Sequence, residues 1–290
     1  MNFEEVVTDL LRFAATELPV DVSNALKDVL ENEGSSAAKT QLQAIVKNFE
    51  LAMIEPTPMC QDTGYPIFYV EIGEKALTWA LGLREAIENG TQRATQEIPL
   101  RPNTVNPIIG GNPGTNIGKG APFINFDIVE GNTIKITAFP KGGGSENMSA
   151  LGMLKPGQGV LGIKKFVIDT VIAAGAQPCP PIIVGVGIGG GADIAMKVAK
   201  KQLLRPIGKR HPEKEIAEIE EELLKAINTT GIGAMGVGGN FTALDVKVDW
   251  VMRHPATLPV GVAIQCWAGR RATAEISEDG NVKYLTHEKR

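Results

Sequence analysis

The sequence predicts a mixed α/β chain of two lobes with a helical N-terminal region, and three observations carry that expectation. Apolar residues recur at helical spacing through the first stretch, from Phe3 to about Ile54. Short apolar runs such as Ile67 to Ile72 and Pro181 to Val186 are bounded by glycine and proline, as strands are. Near residue 150 the composition changes: a helical first third and an Asn/Gly/Pro-rich loop at Pro102 to Pro122 give way to alternating helix and buried strand. That change divides one domain, 1–290, into lobes of about 1–150 and 151–290.

Taken in order, Phe3 to Thr16 reads as an amphipathic helix. Asp21 offers an N-cap to a helix from Val22 to Leu30, and Ser35-Ser36 caps a third that runs to about Ile54. A loop holds Cys60, then Ile67 to Ile72 forms a strand and Ala76 to Glu88 a helix with Gly90 near its end. Pro102 to Pro122 is loop. Phe123 to Val129 and Thr133 to Phe139 are two strands joined at Gly131-Asn132, which suggests an antiparallel pair. Val160 to Ala174 is a helix that Gly175 stops. The strand from Pro181 runs into glycines and is followed by a helix, Ala192 to Leu204. His211 to Ile227 is a charged helix, and Thr242 to Val251 and Pro259 to Trp267 are strands.

Composition excludes several classes. Hydrophobic content of 43% supports a sizeable core, and the net charge of −4 gives no general attraction to nucleic acid or anionic membrane. Neither a signal-type start nor an apolar run of transmembrane length is present, so a reducing, cytoplasmic setting is expected.

The 3 cysteines, Cys60, Cys179 and Cys266, are widely spaced in distinctive settings. Cys179 lies between Pro178 and Pro180, and Cys60 follows Pro56 and Pro58, so both read as rigid loops. Buried inert thiols are the plain alternative. Three thiolates converging on a metal would leave one metal position open to substrate.

Gly185 to Gly190 matches a dinucleotide fingerprint, yet the acidic residue such a unit needs on the next strand is missing. An anion-friendly helix N-terminus, open to a carboxylate or a cluster sulfide, is the better reading, with close strand–helix packing as the alternative. In Lys141-Gly-Gly-Gly-Ser-Glu-Asn147 three glycines let amides converge on an anion, and no Walker loop is formed. Gln61 and Asp62 put an amide and a carboxylate beside Cys60, although Asp62 can also cap its own turn. Arg101 is suited to bidentate binding of a carboxylate. Of the 3 histidines, His211 and His287 read as surface residues, and His254 is open between structural and active-site use.

Cys60-Gln-Asp-Thr-Gly, Lys141-Gly-Gly-Gly-Ser-Glu-Asn, Gln177-Pro-Cys-Pro-Pro and the stretch from His254 to Cys266 together resemble the iron–sulfur (class I) fumarases and the related L-tartrate dehydratases, co-linearly over most of the chain. The resemblance implies a two-lobed Fe–S hydro-lyase catalytic domain, matching the alpha subunit of a two-subunit fumarate hydratase of the tricarboxylic acid cycle. It implies a 4Fe-4S cluster on Cys60, Cys179 and Cys266 with one iron left for substrate. Gln61, Arg101 and Gly143 then bind the dicarboxylate, and Asp62 and His254 are the catalytic positions. It further implies a beta-type partner subunit and an α2β2 assembly, with fumarate hydrated to L-malate. L-tartrate dehydration is the rival within the class. An Fe–S binding protein without catalysis and a nicotinamide-dependent dehydrogenase are the rivals outside it.

Overall fold

The structure, a computed structural model, describes residues 2–288. In chain order it contains helices α1 (Phe3–Thr16), α2 (Val20–Asn32) and α3 (Ser36–Ile54), strand β1 (Ile67–Gly73), helix α4 (Leu83–Glu97), and strands β2 (Phe123–Val129) and β3 (Ile134–Ala138). There follow α5 (Gly143–Glu146), β4 (Ala150–Leu154), α6 (Gly159–Ala174), β5 (Ile182–Gly190), α7 (Ala192–Gln202), α8 (Lys214–Asn228), β6 (Ala243–Arg253), β7 (Leu258–Gln265), β8 (Ala272–Ile276) and β9 (Val282–Tyr284). The class is therefore mixed α/β, with two sheets. The chain forms two compact units from interleaved segments. The first comprises Met1–Val20, Asn48–Gly143 and Arg270–Arg290, and the second Asp21–Lys47 and Gly144–Gly269.

The first unit is built on a sheet of order β2-β1-β3-β8-β9. Helix α1 begins where the Asn2 side chain accepts the amide of Glu5, and it buries Val7, Leu10, Leu11 and Ala14 against β3 and β8. Each such Val or Leu contributes about 1.5–3 kcal/mol on full burial. Phe123–Val129 and the following strand do not pair with each other, contrary to the hairpin expected at Gly131-Asn132. Strand β1 lies between them, parallel to β2 and antiparallel to β3. The reason is burial: β1 is apolar and covered, whereas β2 is largely exposed and suits a sheet edge. The Gly131 turn crosses the end of β1, where Gly131 and Thr133 carbonyls accept the amides of Lys75 and Gly73.

The expected helix from Ala76 also differs. A short 3-10 turn, Glu74–Ala76, comes first, and α4 starts only at Leu83 after Gly82 adopts φ 78. Gly90 is then a mid-helix residue. A Cβ there would lie 2.7 Å from the Glu4 carbonyl and 2.7 Å from Val7 Cβ, so the glycine is what lets α4 touch α1. His287 is not a bare surface residue: its ring stacks on Phe13 at 5.2 Å.

The second unit has a sheet of order β4-β7-β5-β6, with α7 on one face and α6 and α8 on the other. Alternate residues explain the division. Val184, Val186, Val260 and Val262 face α6 and α8, while Gly185, Gly187 and Gly261 face α7. A Cβ on Gly185 or Gly187 would lie 2.2 Å from a carbonyl of α7. Close strand–helix packing is thus the use of the glycine run, in place of the anion site expected there. Asp21 is not an N-cap: α2 already begins at Val20, and the Asp21 carboxylate accepts the amide of Ile207 at 2.7 Å. Helix α8 starts at Lys214 rather than at His211, because the preceding loop is tied to β6 by Arg210 and Asp245 at 2.7 Å. The His211 side chain is largely buried there.

Candidate functional site

The motif after Cys60 is an anchor for several loops of the first unit. Asp62 Oδ1 accepts the amide of Gly64 at 2.9 Å and Nδ2 of Asn103 at 3.1 Å, while Oδ2 accepts the amide of Gly143 at 2.8 Å. Thr63 Oγ1 accepts the amide of Arg101 at 3.0 Å. Gly64, at φ 82, lies so close to Pro140 and Lys141 that a Cβ would come within 2.7 Å of backbone. Tyr65 and Lys141 exchange backbone hydrogen bonds at 3.0 Å. The Cys60–Gly64 run, the start of the 101–118 loop and the triple glycine are therefore one pinned cluster.

That cluster brings together five of the residues singled out by sequence: Cys60, Gln61, Asp62, Arg101 and Gly143. Gln61 and Arg101 are exposed, Cys60 and Asp62 partly buried. Asp62 does cap its own turn, through Gly64, and it does more than that. The Gly143 amide is engaged by Asp62 rather than pointing free into solvent. Asn116 supports the same region, its Oδ1 accepting the Asn103 amide at 2.7 Å and its Nδ2 donating to the Arg101 carbonyl at 3.2 Å.

In the second unit Cys179 and Cys266 share one end of the sheet. Cys179 precedes β5 in a turn closed by its amide on the Ala176 carbonyl, and its own carbonyl accepts the amide of Trp267 at 3.1 Å. Its φ is 55, a left-handed conformation that is uncommon for a residue with a side chain. Cys266 follows β7 directly. None of the 3 cysteines forms a disulfide, and all are partly buried. Thiols of that kind, on rigid turns, are suitable soft donors for iron. Among the described residues no three His, Cys, Asp or Glu side chains stand together as a metal group.

His254 is exposed in the β6–β7 turn, with Nδ1 accepting the amide of Ala256 at 3.1 Å. Arg253 braces the turn through the carbonyls of His254, Pro255 and Thr257. Strand β7 separates it from Cys266, about 25 Å at the usual rise per residue. The second unit therefore does not bring His254 to its own two cysteines. The N-terminus of α7 is also at the His254 end.

Sequence reasoning missed Asn103 and Arg270. Arg270 is 1% exposed, and its Nη1 donates to the Asp62 carbonyl. The only signal was a Gly269-Arg270-Arg271 step opening a strand a few residues after Cys266.

A family profile described as Fumarate hydratase (Fumerase) matches residues 4–275. The chain belongs to the fumarate hydratase family. It is accordingly a hydro-lyase. The chain is 51% identical to a Methanocaldococcus jannaschii protein named "Putative L(+)-tartrate dehydratase subunit alpha", over 97% of this chain and 100% of the other. It is 34% identical to the L(+)-tartrate dehydratase subunit alpha of Escherichia coli (strain K12), over 98% of this chain and 93% of that one. Among the described residues, no helix of this fumarate hydratase family member is long and apolar enough to cross a membrane.

Proposed function

We propose that the chain is the alpha subunit of a fumarate hydratase that adds water reversibly to fumarate, giving L-malate, and works in the cytoplasm with a beta-type subunit in an α2β2 assembly. The observation that carries this reading is the pinned cluster, in which Gln61, Asp62, Arg101 and Gly143 stand behind a cysteine. Cys60, Cys179 and Cys266 would hold a 4Fe-4S cluster. When bound, its open iron supplies Lewis acidity toward the C2 hydroxyl and the neighbouring carboxylate.

The chain's own residues bind and orient. Arg101, exposed on a loop whose backbone is fixed at Thr63 and Asn116, takes a substrate carboxylate through paired N–H bonds. Gln61 hydrogen-bonds the substrate beside Cys60. The Gly143 amide is held by Asp62 Oδ2. A substrate carboxylate taking that amide releases Oδ2; the freed oxygen can accept one proton of the water whose oxygen bonds to C2, while C3 takes its proton from an acid on the partner subunit. Binding and proton transfer are then linked through one hydrogen bond. His254 stands too far along β7 to serve the cysteines of its own unit, so it serves the site of a second copy. The partner subunit supplies the cation for the second carboxylate, which would be costly to bury unpaired.

L-tartrate dehydration is the second reading, favoured by the names of the relatives. Anaerobic assays of the chain assembled with its beta-type partner, on fumarate, L-malate and L-tartrate separately, decide between them. Turnover of fumarate and L-malate is expected. Turnover of L-tartrate alone would move the assignment to the dehydratase, and turnover of none would remove it.

A further inference from the structure

Arg270 is among the largest wholly buried side chains of the protein, and it is a cation. Its Nη1 donates to the carbonyl of Asp62, while Nε is buried with no hydrogen-bond partner. Among the described residues no carboxylate stands at ion-pair distance from it. A guanidinium in that state is expensive, because its lost hydration is only partly replaced. A strut that merely filled space would be more stable as an apolar side chain of similar volume.

The position says what the charge is for. A Cβ built on Gly142 would lie 3.0 Å from Arg270 Nη2 and 3.2 Å from Asp62 Oδ2. The guanidinium and the carboxylate oxygen that holds Gly143 thus flank the same glycine. Gly142 leaves the room that both need. Arg270 therefore touches the backbone of the Cys60–Asp62 loop and stands beside its carboxylate.

We propose that Arg270 is a positioning residue. Its guanidinium clamps the Cys60-Gln61-Asp62 loop through the Asp62 carbonyl, and its buried charge makes that loop a stable place for the negative groups that gather there. This deepens the reading of the site as a hydratase centre and rests on it for the effect on turnover. The clamp itself does not depend on that reading.

The test separates the two. In the full 290-residue chain carrying Cys179→Ser and Cys266→Ser, Cys60 is the one thiol left to react with a neutral maleimide. Arg270→Met should raise its labelling rate about tenfold, the loss of one charge-assisted hydrogen bond, with Arg270→Lys in between. Gly142→Ala, whose Cβ would press on the guanidinium at 3.0 Å and on Asp62 Oδ2 at 3.2 Å together, should act in the same direction, and Arg270→Lys decides the matter if Arg270→Met does not fold. In the cluster-loaded assembly with wild-type cysteines, Arg270→Met should lower kcat for fumarate about 100-fold with a small change in KM, and Arg270→Lys should restore part of it. Labelling rates unchanged by Gly142→Ala and by the Arg270 variants would overturn the positioning role. Faster labelling in a chain whose parent assembly turns over no fumarate would keep the clamp and overturn the assigned reaction instead.

Discussion

Asp62 Oδ2 accepts the backbone amide of Gly143 at 2.8 Å, joining the residue two places after Cys60 to the triple glycine far along the chain. The other oxygen is held by Gly64 and Asn103. Asp62→Asn cannot keep all three donors, since its amide nitrogen must face an N–H whichever way it turns. One lost or opposed hydrogen bond costs about 1–3 kcal/mol, a few degrees in Tm for a chain of this size. The activity of the assembled enzyme should fall further, by about 100-fold or more, with the cluster absorbance retained. Full turnover by Asp62→Asn would take Asp62 out of the proton path.

Much of the fold is readable because local pattern and burial agree. Helix α1 matches its expected bounds, Phe3 to Thr16, since its apolar face meets a sheet that wants it. The strand pairing was not readable, because Gly131-Asn132 has hairpin chemistry while the partner of both strands is the more apolar β1. Asn103 and Arg270 escaped for a related reason. Nothing local marks a loop asparagine or a strand-opening arginine; their meaning comes from meeting Asp62 across long sequence separations. Short motifs with a cysteine were legible because proline and glycine fix the turn around them.

The cysteines give a direct test. Cys60→Ser, Cys179→Ser and Cys266→Ser should each abolish the visible absorbance of the anaerobically reconstituted chain, because a thiolate is the ligand iron–sulfur centres need. Cys179 holds φ 55 and anchors Trp267 through its carbonyl, so Cys179→Ser should keep its turn while losing iron. Normal iron content in any one variant would remove that residue from the ligand set.

Gly187 tests the glycine run. Its Cβ would stand 2.2 Å from the Ala195 carbonyl and 2.5 Å from the Ala199 amide, both backbone atoms that can move only with the whole helix. Gly187→Ala should therefore destabilise by about 1–3 kcal/mol or more, read as a lower midpoint in denaturant. A stable Gly187→Ala chain that had merely lost anion affinity would restore the reading as an anion site.

Tyr284 donates to Asp9 Oδ2 at 2.8 Å, and burial first, then the Asp9 carboxylate, raises its pKa well above the ordinary value. In the unfolded chain the phenol ionises at about 10. The fold keeps the proton to higher pH, so this contribution is whole below that value and is lost as pH rises through the folded pKa. Tyr284→Phe should cost about 1 kcal/mol at neutral pH and show a shallower loss of stability in alkali than the parent. Parallel alkaline unfolding curves for the two chains would show that the pair does not carry this linkage.

The separation of His254 from Cys266 along β7 predicts complementation between two inactive chains. If His254 acts in the site of a second copy, a chain with His254→Ala and a chain with Cys266→Ser are each inactive when assembled alone with the beta-type partner. Mixed in equal amounts, half of the symmetric pairs hold one of each. In those pairs the chain with intact cysteines receives His254 from its neighbour, and one site of two is whole. Activity should return to about a quarter of the parent's, the fraction set by random pairing in a two-fold dimer. If His254 acts in its own chain, every mixed pair contains one chain without the histidine and one without the cysteine ligand, and nothing returns. Recovery near a quarter, lost again when both changes are placed on the same chain, would establish the shared site; absence of recovery in a mixture shown to exchange subunits would remove His254 from the neighbouring site.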